Sequence, residues 1–351
     1  MLEITSPTTS AAKLVSSGLS QLPTELWFEV VGSTEKTEWP TLALVDRTFR
    51  TAAERMIYAD IDLTERLPPV TVLCLQALAA HPALAHHTRT LSLGGVEPPE
   101  YYMKCFFRLL RRALLNMPNL DKLFIRVFAP LAQYLIGCPF QLTGFACYGI
   151  WDTALHTWLE EQPSLKSLDF RGFFATRRLV IKPDVLRDLR YACGSPYLLR
   201  AIVPDRPVLL AELHFPPLLP FDALDMTETL RAASRSTGPL QSLVVYLGSH
   251  FQDLPPLTLL ETLRMIPLQL PRLDTFSIQL SEGSAYEALL DGLGGILGLF
   301  EHLREVEVFS LAEDDLIHDE YLGGSIAIAW YGRCKTLRVV TLPSGRWSFR
   351  G

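Results

Sequence analysis

Residues 162–170 read Gln162-Pro163-Ser164-Leu165-Lys166-Ser167-Leu168-Asp169-Phe170. After a proline-containing turn, apolar residues stand at Leu165, Leu168 and Phe170, the first, fourth and sixth positions of a six-residue template. Leu168 and Phe170 alternate with polar residues, which is typical of a strand with one buried face. The segment therefore predicts a short strand that follows a tight turn.

The same template recurs along most of the chain. Its copies, some close and some weak, begin at Thr88, Leu120, Leu142, Leu165, Leu186, Leu210, Leu240, Leu273, Leu303 and Leu337. Their separation runs from 21 residues (Leu165 to Leu186) to 34 (Leu303 to Leu337), and periods of about 20–29 residues are typical of leucine-rich repeats. The fourth template position, expected to point into the core, is held by Leu123, Leu168, Leu213 and Leu243.

Helical patterns occupy the intervals between several of these strands. They cover 101–115, 152–161, 222–236, 257–266 and 285–302. Short strands that alternate with helices predict a parallel sheet with right-handed crossovers. The 63 leucines supply a core, whereas the two asparagines, Asn116 and Asn119, cannot form an asparagine ladder. We therefore expect an irregular leucine-rich-repeat-like solenoid, with a compact α/β domain of mixed strand order as the alternative.

A different pattern precedes the repeats. Leu22-Pro23-Thr24-Glu25-Leu26 opens a helix, Leu44-Val45-Asp46-Arg47-Thr48-Phe49-Arg50 leads through a capping aspartate into another, and Tyr58-Ala59-Asp60-Ile61-Asp62-Leu63 ends in a strand. In order, spacing and helix pattern these segments resemble an F-box motif, and most closely the fungal-style form in which the third helix runs directly into a strand. Asp46 departs from the Ser or Cys that is common in the family.

The F-box resemblance implies a function. Three helices would bind a Skp-type adaptor and, through it, a cullin–RING ligase, so that the chain is the substrate-recognition subunit of an SCF-type ubiquitin ligase. The positions that match the family's docking residues are Leu22, Pro23, Leu26, Val30, Leu44, Val45, Arg47 and Phe49. The alternative is a non-catalytic leucine-rich-repeat scaffold with a degenerate F-box and no ligase role.

Strand alternation predicts a second, outward-facing set of side chains. If Leu120, Leu123 and Ile125 point into the core, Lys122 and Phe124 point the opposite way. The candidate substrate-binding face then comprises Lys122, Phe124, Arg126, Tyr148, Asp169, Arg171, Asp188, Arg190, Glu212, His214, Tyr246, Glu305, Glu307 and Phe309. Aromatic residues among mixed charges are a common composition of protein-binding patches.

Composition argues against several classes of function. A net charge of −6 and a pI near 5.8 provide no basic footprint for nucleic acid. The six cysteines form no Cys-x-x-Cys pair, which argues against a zinc site or a disulfide scaffold and fits a reducing compartment. The uncharged stretch 129–151 contains prolines and glycines and predicts no membrane span, and the N-terminus has no signal-peptide pattern.

No catalytic constellation is evident in the sequence. The glycine run at 292–298 misses the dinucleotide fingerprint, the acidic run at 313–320 is interpreted as a solvated loop, and His86-His87 has no partners at zinc spacing. We therefore expect no enzymatic activity, no cofactor and no metal.

Taken together, the sequence predicts an α/β protein in three parts. A flexible tail covers 1–20, a three-helix F-box-like module covers 21–63, and a leucine-rich-repeat-like domain with a parallel sheet covers 64–351. The expected partners are a Skp-type adaptor and an unknown protein substrate, with neither nucleic acid nor membrane, in the cytoplasm or nucleus.

Overall fold

The computed structural model describes residues 23–94, 104–174, 179–215, 223–247, 256–280, 286–310 and 320–350. Helices in these ranges are α1 (Thr24–Gly32), α2 (Trp39–Leu42), α3 (Arg47–Ala59), α4 (Pro68–Ala80), α5 (Pro82–Ala85), α6 (Lys104–Leu115), α7 (Ala132–Leu135), α8 (Thr153–Glu160), α9 (Pro196–Ile202), α10 (Ala223–Ala233), α11 (Pro256–Leu263), α12 (Met265–Gln269), α13 (Tyr286–Leu297) and α14 (Glu320–Arg333). The strands are β1 (Asp60–Leu63), β2 (Thr90–Gly94), β3 (Lys122–Ala129), β4 (Gly144–Trp151), β5 (Ser167–Phe170), β6 (Phe173–Phe174), β7 (Tyr191–Gly194), β8 (Leu210–His214), β9 (Ser242–Leu247), β10 (Thr275–Leu280), β11 (Glu305–Ser310), β12 (Val339–Leu342) and β13 (Gly345–Ser348). The predicted tail at 1–20 and residues 313–319 of the acidic run lie outside the described residues.

The chain divides into two compact units. The first comprises 1–122 together with 137–140, and the second comprises 123–136 together with 141–351. In the first unit α3 runs directly into β1, β1 pairs in parallel with β2, and α4 packs against α6. This unit therefore extends well beyond the helical module predicted at 21–63.

A large, mostly parallel sheet organises the second unit. Its strands are adjacent in the order β3-β4-β5-β7-β8-β9-β10-β11-β12-β13, and β6 pairs separately with β4. The pairs from β4 to β12 are parallel, whereas β13 is antiparallel to β12. The prediction of a mixed α/β protein with a parallel sheet is confirmed. The strands that form the main path of the sheet follow chain order, which argues against the alternative of a mixed strand order.

One backbone arrangement recurs at these parallel junctions. The carbonyl oxygen of Thr143, just before β4, accepts hydrogen bonds from the amides of Lys166 and Ser167 at 2.8 and 3.0 Å. The carbonyl oxygen of Lys166 accepts in turn from the amides of Arg190 and Tyr191, and the same two-to-one pattern continues as far as β12. Each strand is therefore placed in register with its neighbour at its first residue.

Side chains alternate between a buried and a half-buried face along β5, β8 and β9. In β9, Leu243, Val245 and Leu247 are buried, and the residues between them are half-buried. This is the period-two pattern expected of a sheet with one face in the core. The prediction that Leu123, Leu168, Leu213 and Leu243 point into the core is confirmed, because at most 2% of the surface of each is exposed.

The template copy predicted to begin at Leu186 has a different register. The pairing of β5 with β7 puts the fourth template position on Ala192 and not on Leu189. The buried fourth and sixth template positions of this copy are the small residues Ala192 and Gly194. A Cβ atom at Gly194 would lie only 2.7 Å from the carbonyl oxygen of Phe170. The small residues of β7 conceal the apolar pattern, so the sequence suggested a start three residues too early.

The copy predicted to begin at Leu210 is displaced by two residues. The pairing of β8 with β9 gives the fourth position to Ala211, so that this copy begins at the buried Val208. A shift of two residues preserves the alternation of faces. Glu212 and His214 therefore remain on the predicted outward-facing side of the sheet.

The helices of the second unit pack on the buried side of the strands. Trp158 of α8 contacts Phe145 of β4 edge to face, with ring centroids 5.0 Å apart, and α9 packs on β7 and β8.

The glycine run at 292–298 lies largely within α13, as its helical pattern predicted. The uncharged stretch 129–151 contains only the short α7 between two strands. No helix in the described ranges has both the length and the apolar character that a membrane crossing requires.

Arg206 is a deeply buried cation, with 2% of its surface exposed. Its guanidinium donates hydrogen bonds to the carbonyl oxygens of Lys182 and Val185 at 2.7 and 2.8 Å, and to those of Pro204 and Ile202 at 3.0 and 3.2 Å. These carbonyls belong to the C-terminal end of α9 and to the segment that precedes β7. The Arg206 side chain thus donates hydrogen bonds to backbone carbonyl oxygens of two neighbouring connections.

We expect Leu168→Ala to lower the free energy of unfolding of the full chain by about 2–5 kcal/mol, because it leaves a cavity behind a central strand. Leu268→Ala is the matched control, since Leu268 is 62% exposed, and it should change stability by less than about 0.5 kcal/mol. Urea denaturation measures both values. Equal destabilisation by the two variants would contradict the register described above.

Arg206→Met keeps most of the apolar stem but removes the donors that several buried carbonyls require. We expect a loss of at least about 2 kcal/mol, since one unsatisfied buried group costs about 1–3 kcal/mol. Arg235→Met is the control, because Arg235 is 63% exposed and forms a surface ion pair with Asp205. A thermal melt in which both variants match the wild type would refute a structural role for Arg206.

Candidate functional site

The three N-terminal helices pack around a small core of their own. Trp27 and Val31 of α1 are buried together with Ala52 and Ala53 of α3. The indole Nε1 of Trp39 donates a hydrogen bond to the carbonyl oxygen of Val31 at 3.0 Å, which joins α2 to α1. The module therefore has a core that does not depend on a partner.

Asp46 caps α3, as its position in the sequence predicts. Its Oδ1 atom accepts hydrogen bonds from the amides of Thr48 at 2.6 Å and Phe49 at 2.9 Å. A side chain in this role typically contributes about 1 kcal/mol to helix stability. Asp46 is thus accommodated by the local backbone.

Four large apolar side chains of this module remain exposed to solvent. Leu26 and Val30 on α1 are 41% and 44% exposed, and Leu44 and Val45, between α2 and α3, are 79% and 61% exposed. We call these four residues the exposed apolar set. Several large apolar side chains exposed on so short a segment are typical of a surface that binds another molecule.

The other residues predicted to dock an adaptor differ in their placement. Pro23 precedes α1 and Arg47 begins α3, and both are exposed. Phe49 is half-buried, because its ring meets that of Trp27 edge to face at 4.8 Å, and so it belongs partly to the module's own core. Leu22 lies outside the described residues.

The half-buried faces of β5, β7, β8 and β9 carry a group of polar side chains. Cys193 of β7 stands between Asp169 of β5 and Glu212 of β8 in the strand register, and His214 of β8 is opposite Tyr246 of β9. We define the polar cluster as Asp169, Arg171, Tyr191, Cys193, Glu212, His214 and Tyr246.

Glu212 lies at the centre of the polar cluster. Its Oε2 atom accepts a hydrogen bond from the Tyr246 hydroxyl at 3.1 Å and lies 3.6 Å from Nη2 of Arg171. Burial alone would raise the pKa of Glu212, but hydrogen bonds from the Tyr191 and Tyr246 side chains and the charge of Arg171 outweigh it and hold the pKa below its ordinary value. Glu212 is therefore ionised at neutral pH.

Arg171 is held in place by its neighbours in the cluster. Its Nε donates to Oδ1 of Asp169 at 3.0 Å, and its guanidinium lies 5.5 Å from the ring centroid of Tyr246 and 5.9 Å from that of Tyr148. Cation–π contacts at such distances are favourable. The cluster thus combines one fixed positive charge with two carboxylates.

His214 and Cys193 complete the cluster as neutral groups. The imidazole of His214 stacks on the ring of Tyr246 with centroids 3.6 Å apart. Its buried Nε2 atom has no hydrogen-bond partner in the part of the chain that the structure describes, since Oε2 of Glu212 is 3.7 Å away, too far for a hydrogen bond. Burial lowers the pKa of His214 and raises the pKa of the Cys193 thiol.

The prediction that Asp188 and Arg190 lie on this face is wrong. Both are exposed residues that precede β7, because the template copy in this region starts three residues later than predicted. Tyr191 and Cys193 occupy the outward-facing positions instead, and sequence reasoning missed both. The spacing Glu212-x-His214 correctly predicted that these two side chains lie on the same face of a strand. Cys193, which pairs with Glu212, was not predicted, because the small residues of β7 give no clear strand pattern.

The remaining residues of the predicted face are at least partly accessible. In β3, Lys122 and Arg126 are exposed and Phe124 is half-buried, and in β11 Phe309 is 43% exposed. Tyr148, Glu305 and Glu307 are also half-buried.

No model of a known protein family matches the chain, and no curated protein matches it. Its function must therefore be inferred from the residues and their geometry.

The pKa of His214 predicts a dependence of stability on pH. Because the folded pKa is lower than the ordinary value of 6.5, the unfolded chain binds more protons as the pH falls below that value, and stability is lost. We expect the free energy of unfolding to fall less between pH 7 and pH 5 in His214→Phe, which can retain the stacking on Tyr246, than in the wild type. Chemical denaturation at each pH measures it.

His302→Phe serves as the exposed control for this experiment. Its pH profile should follow that of the wild type. Identical profiles for the wild type and His214→Phe would show that burial of the His214 ring contributes nothing to the pH dependence.

Proposed function

We propose that the chain is the substrate-recognition subunit of an SCF-type cullin–RING ubiquitin ligase. In this proposal the helical module at 21–63 is an F-box that binds a Skp-type adaptor, and the later strands form a leucine-rich-repeat-like surface that binds a protein substrate. The chain contributes proximity between substrate and ligase.

The observation that carries this proposal is the exposed apolar set. Leu44 and Val45 are largely exposed on a module whose own core is already filled by Trp27 and Val31. Burying one such side chain in an interface contributes about 1.5–3 kcal/mol. These residues also match docking positions of the F-box motif that the sequence resembles, and this agreement favours a Skp-type adaptor as the partner.

The outward-facing side of the strands supports the substrate-binding part of the proposal. Phe309 is exposed, Tyr148 is half-buried, and the fixed charges of Arg171 and Asp169 lie on the same side of the sheet. Aromatic and arginine side chains are enriched among the residues that contribute most to protein–protein binding. We therefore propose this face as the substrate-binding surface.

We expect the double variant Leu44→Ala with Val45→Ala to bind a purified Skp-type adaptor about 100-fold more weakly than the wild type. Truncation removes apolar area worth about 3 kcal/mol in total, and each 1.4 kcal/mol is about tenfold in affinity. Isothermal titration calorimetry with the full chain measures the change. The matched control is Leu67→Ala with Leu73→Ala, since both leucines are exposed in the same unit but outside the motif.

Two outcomes would contradict the proposal. Failure of the folded wild-type chain to bind the adaptor would exclude the ligase role and favour the scaffold with a degenerate F-box. Equal weakening by the motif variant and the control would show that the adaptor does not use the exposed apolar set.

A further inference from the structure

Three side chains of the polar cluster bring metal-ligand atoms close together. The Cys193 sulfur, a carboxylate oxygen of Glu212 and an imidazole nitrogen of His214 all lie within 4.8 Å of one another. The sheet is the cause, because Cys193 and Glu212 are paired residues of parallel strands and His214 is two residues farther along on the same face. The ligand atoms are thus positioned by strand register and not by a flexible loop.

A second feature of His214 fits metal ligation at this place. The Nε2 atom of His214 is buried but has no hydrogen-bond partner among the described residues, although buried polar atoms in folded proteins nearly always have one. The stacking of the ring on Tyr246 holds the imidazole in this orientation. A metal ion is one of the few ligands that satisfies a buried imidazole nitrogen without adding a second side chain.

The charges around the three residues suit a divalent cation. Asp169 and Glu212 are carboxylates, and Arg171 balances one of them through its hydrogen bond to Asp169. A divalent ion together with a Cys193 thiolate would bring the local charge to neutrality. Hydrogen bonds from Tyr246 to Glu212 and from Arg171 to Asp169 would orient the site from outside, as such contacts commonly do in metalloproteins.

We propose that Cys193, Glu212 and His214 bind a Zn²⁺ ion on the outward-facing side of β7 and β8. Thiolate, imidazole and carboxylate are the three ligand types that zinc uses in proteins, and a mixed set of this kind favours zinc over calcium or magnesium. Three protein ligands leave a fourth position to water or to a group of a bound partner. The site is independent of the proposed ligase role, because it needs only the folded chain.

The test uses the full chain without a polyhistidine tag, stripped with chelator and titrated with Zn²⁺ alone. Zinc content is measured by mass spectrometry after dialysis, and Co²⁺ serves as a spectroscopic probe of thiolate ligation. We expect one zinc per chain and a thiolate-to-cobalt charge-transfer band. His214→Phe can keep the stacking on Tyr246 but removes the nitrogen ligand, and Glu212→Gln removes the carboxylate charge at nearly constant volume.

His214→Phe and Cys193→Ser should weaken zinc binding by more than about 100-fold, which exceeds the usual effect of a residue outside the ligand shell. Cys334→Ser is the control, because Cys334 is also buried but belongs to the segment after α14, and it should retain the metal and the band. If Cys193→Ser does not fold, His214→Phe and Glu212→Gln still decide the question. Absence of stoichiometric zinc in the wild type, or retention of the thiolate band in Cys193→Ser, would overturn the proposal.

Discussion

In the parallel sheet of the second unit, one backbone carbonyl oxygen just before a strand accepts hydrogen bonds from the amides of two successive residues at the start of the neighbouring strand. This arrangement repeats from Thr143 to Arg304, and it fixes which residue of each strand lies opposite which residue of its neighbour. A slip of one residue would carry every buried side chain to the outward-facing side. The burial of Leu168, Leu243 and the equivalent residues of other strands therefore depends on these hydrogen bonds as much as on hydrophobicity.

The same register assembles the polar cluster. Cys193 lies opposite Glu212 because Ala192, its neighbour, occupies the buried position opposite Ala211. Half-buried charges are costly unless they are paired or hydrogen-bonded, and the contacts of Glu212 with Arg171 and Tyr246 meet that requirement. The Nε2 atom of His214, which has no hydrogen-bond partner within the described ranges, is the exception, and for that reason the proposed zinc site is centred on it.

Much of this architecture could be predicted from the sequence where large apolar residues mark the pattern. Leu168 and Phe170 predict the strand β5. The spacing Glu212-x-His214 predicts that Glu212 and His214 lie on one face of a strand. The pattern fails at β7, whose buried positions are held by the small residues Ala192 and Gly194. A template based on leucine cannot detect a strand whose buried positions hold only small residues, and so Cys193 could not be assigned to the cluster.

The helical module shows a second limit of sequence reasoning. The F-box resemblance predicts both Leu44 and Phe49 as docking residues, because both are apolar. Only the packing of the folded module distinguishes the two side chains. Leu44 is 79% exposed, whereas Phe49 is held against Trp27. Spacing along one helix reveals which residues share a face, but the contacts made with two other helices decide which of those residues remain exposed.

The account assigns adaptor binding to the helices and substrate binding to the strands, and hydrogen–deuterium exchange tests this division most directly. Exchange of the full chain is compared with and without a saturating Skp-type adaptor, because amides that an interface covers exchange more slowly. The account predicts slower exchange within 23–59 and unchanged exchange in β5 to β11. Slower exchange confined to those strands, or no change within 23–59, would contradict it.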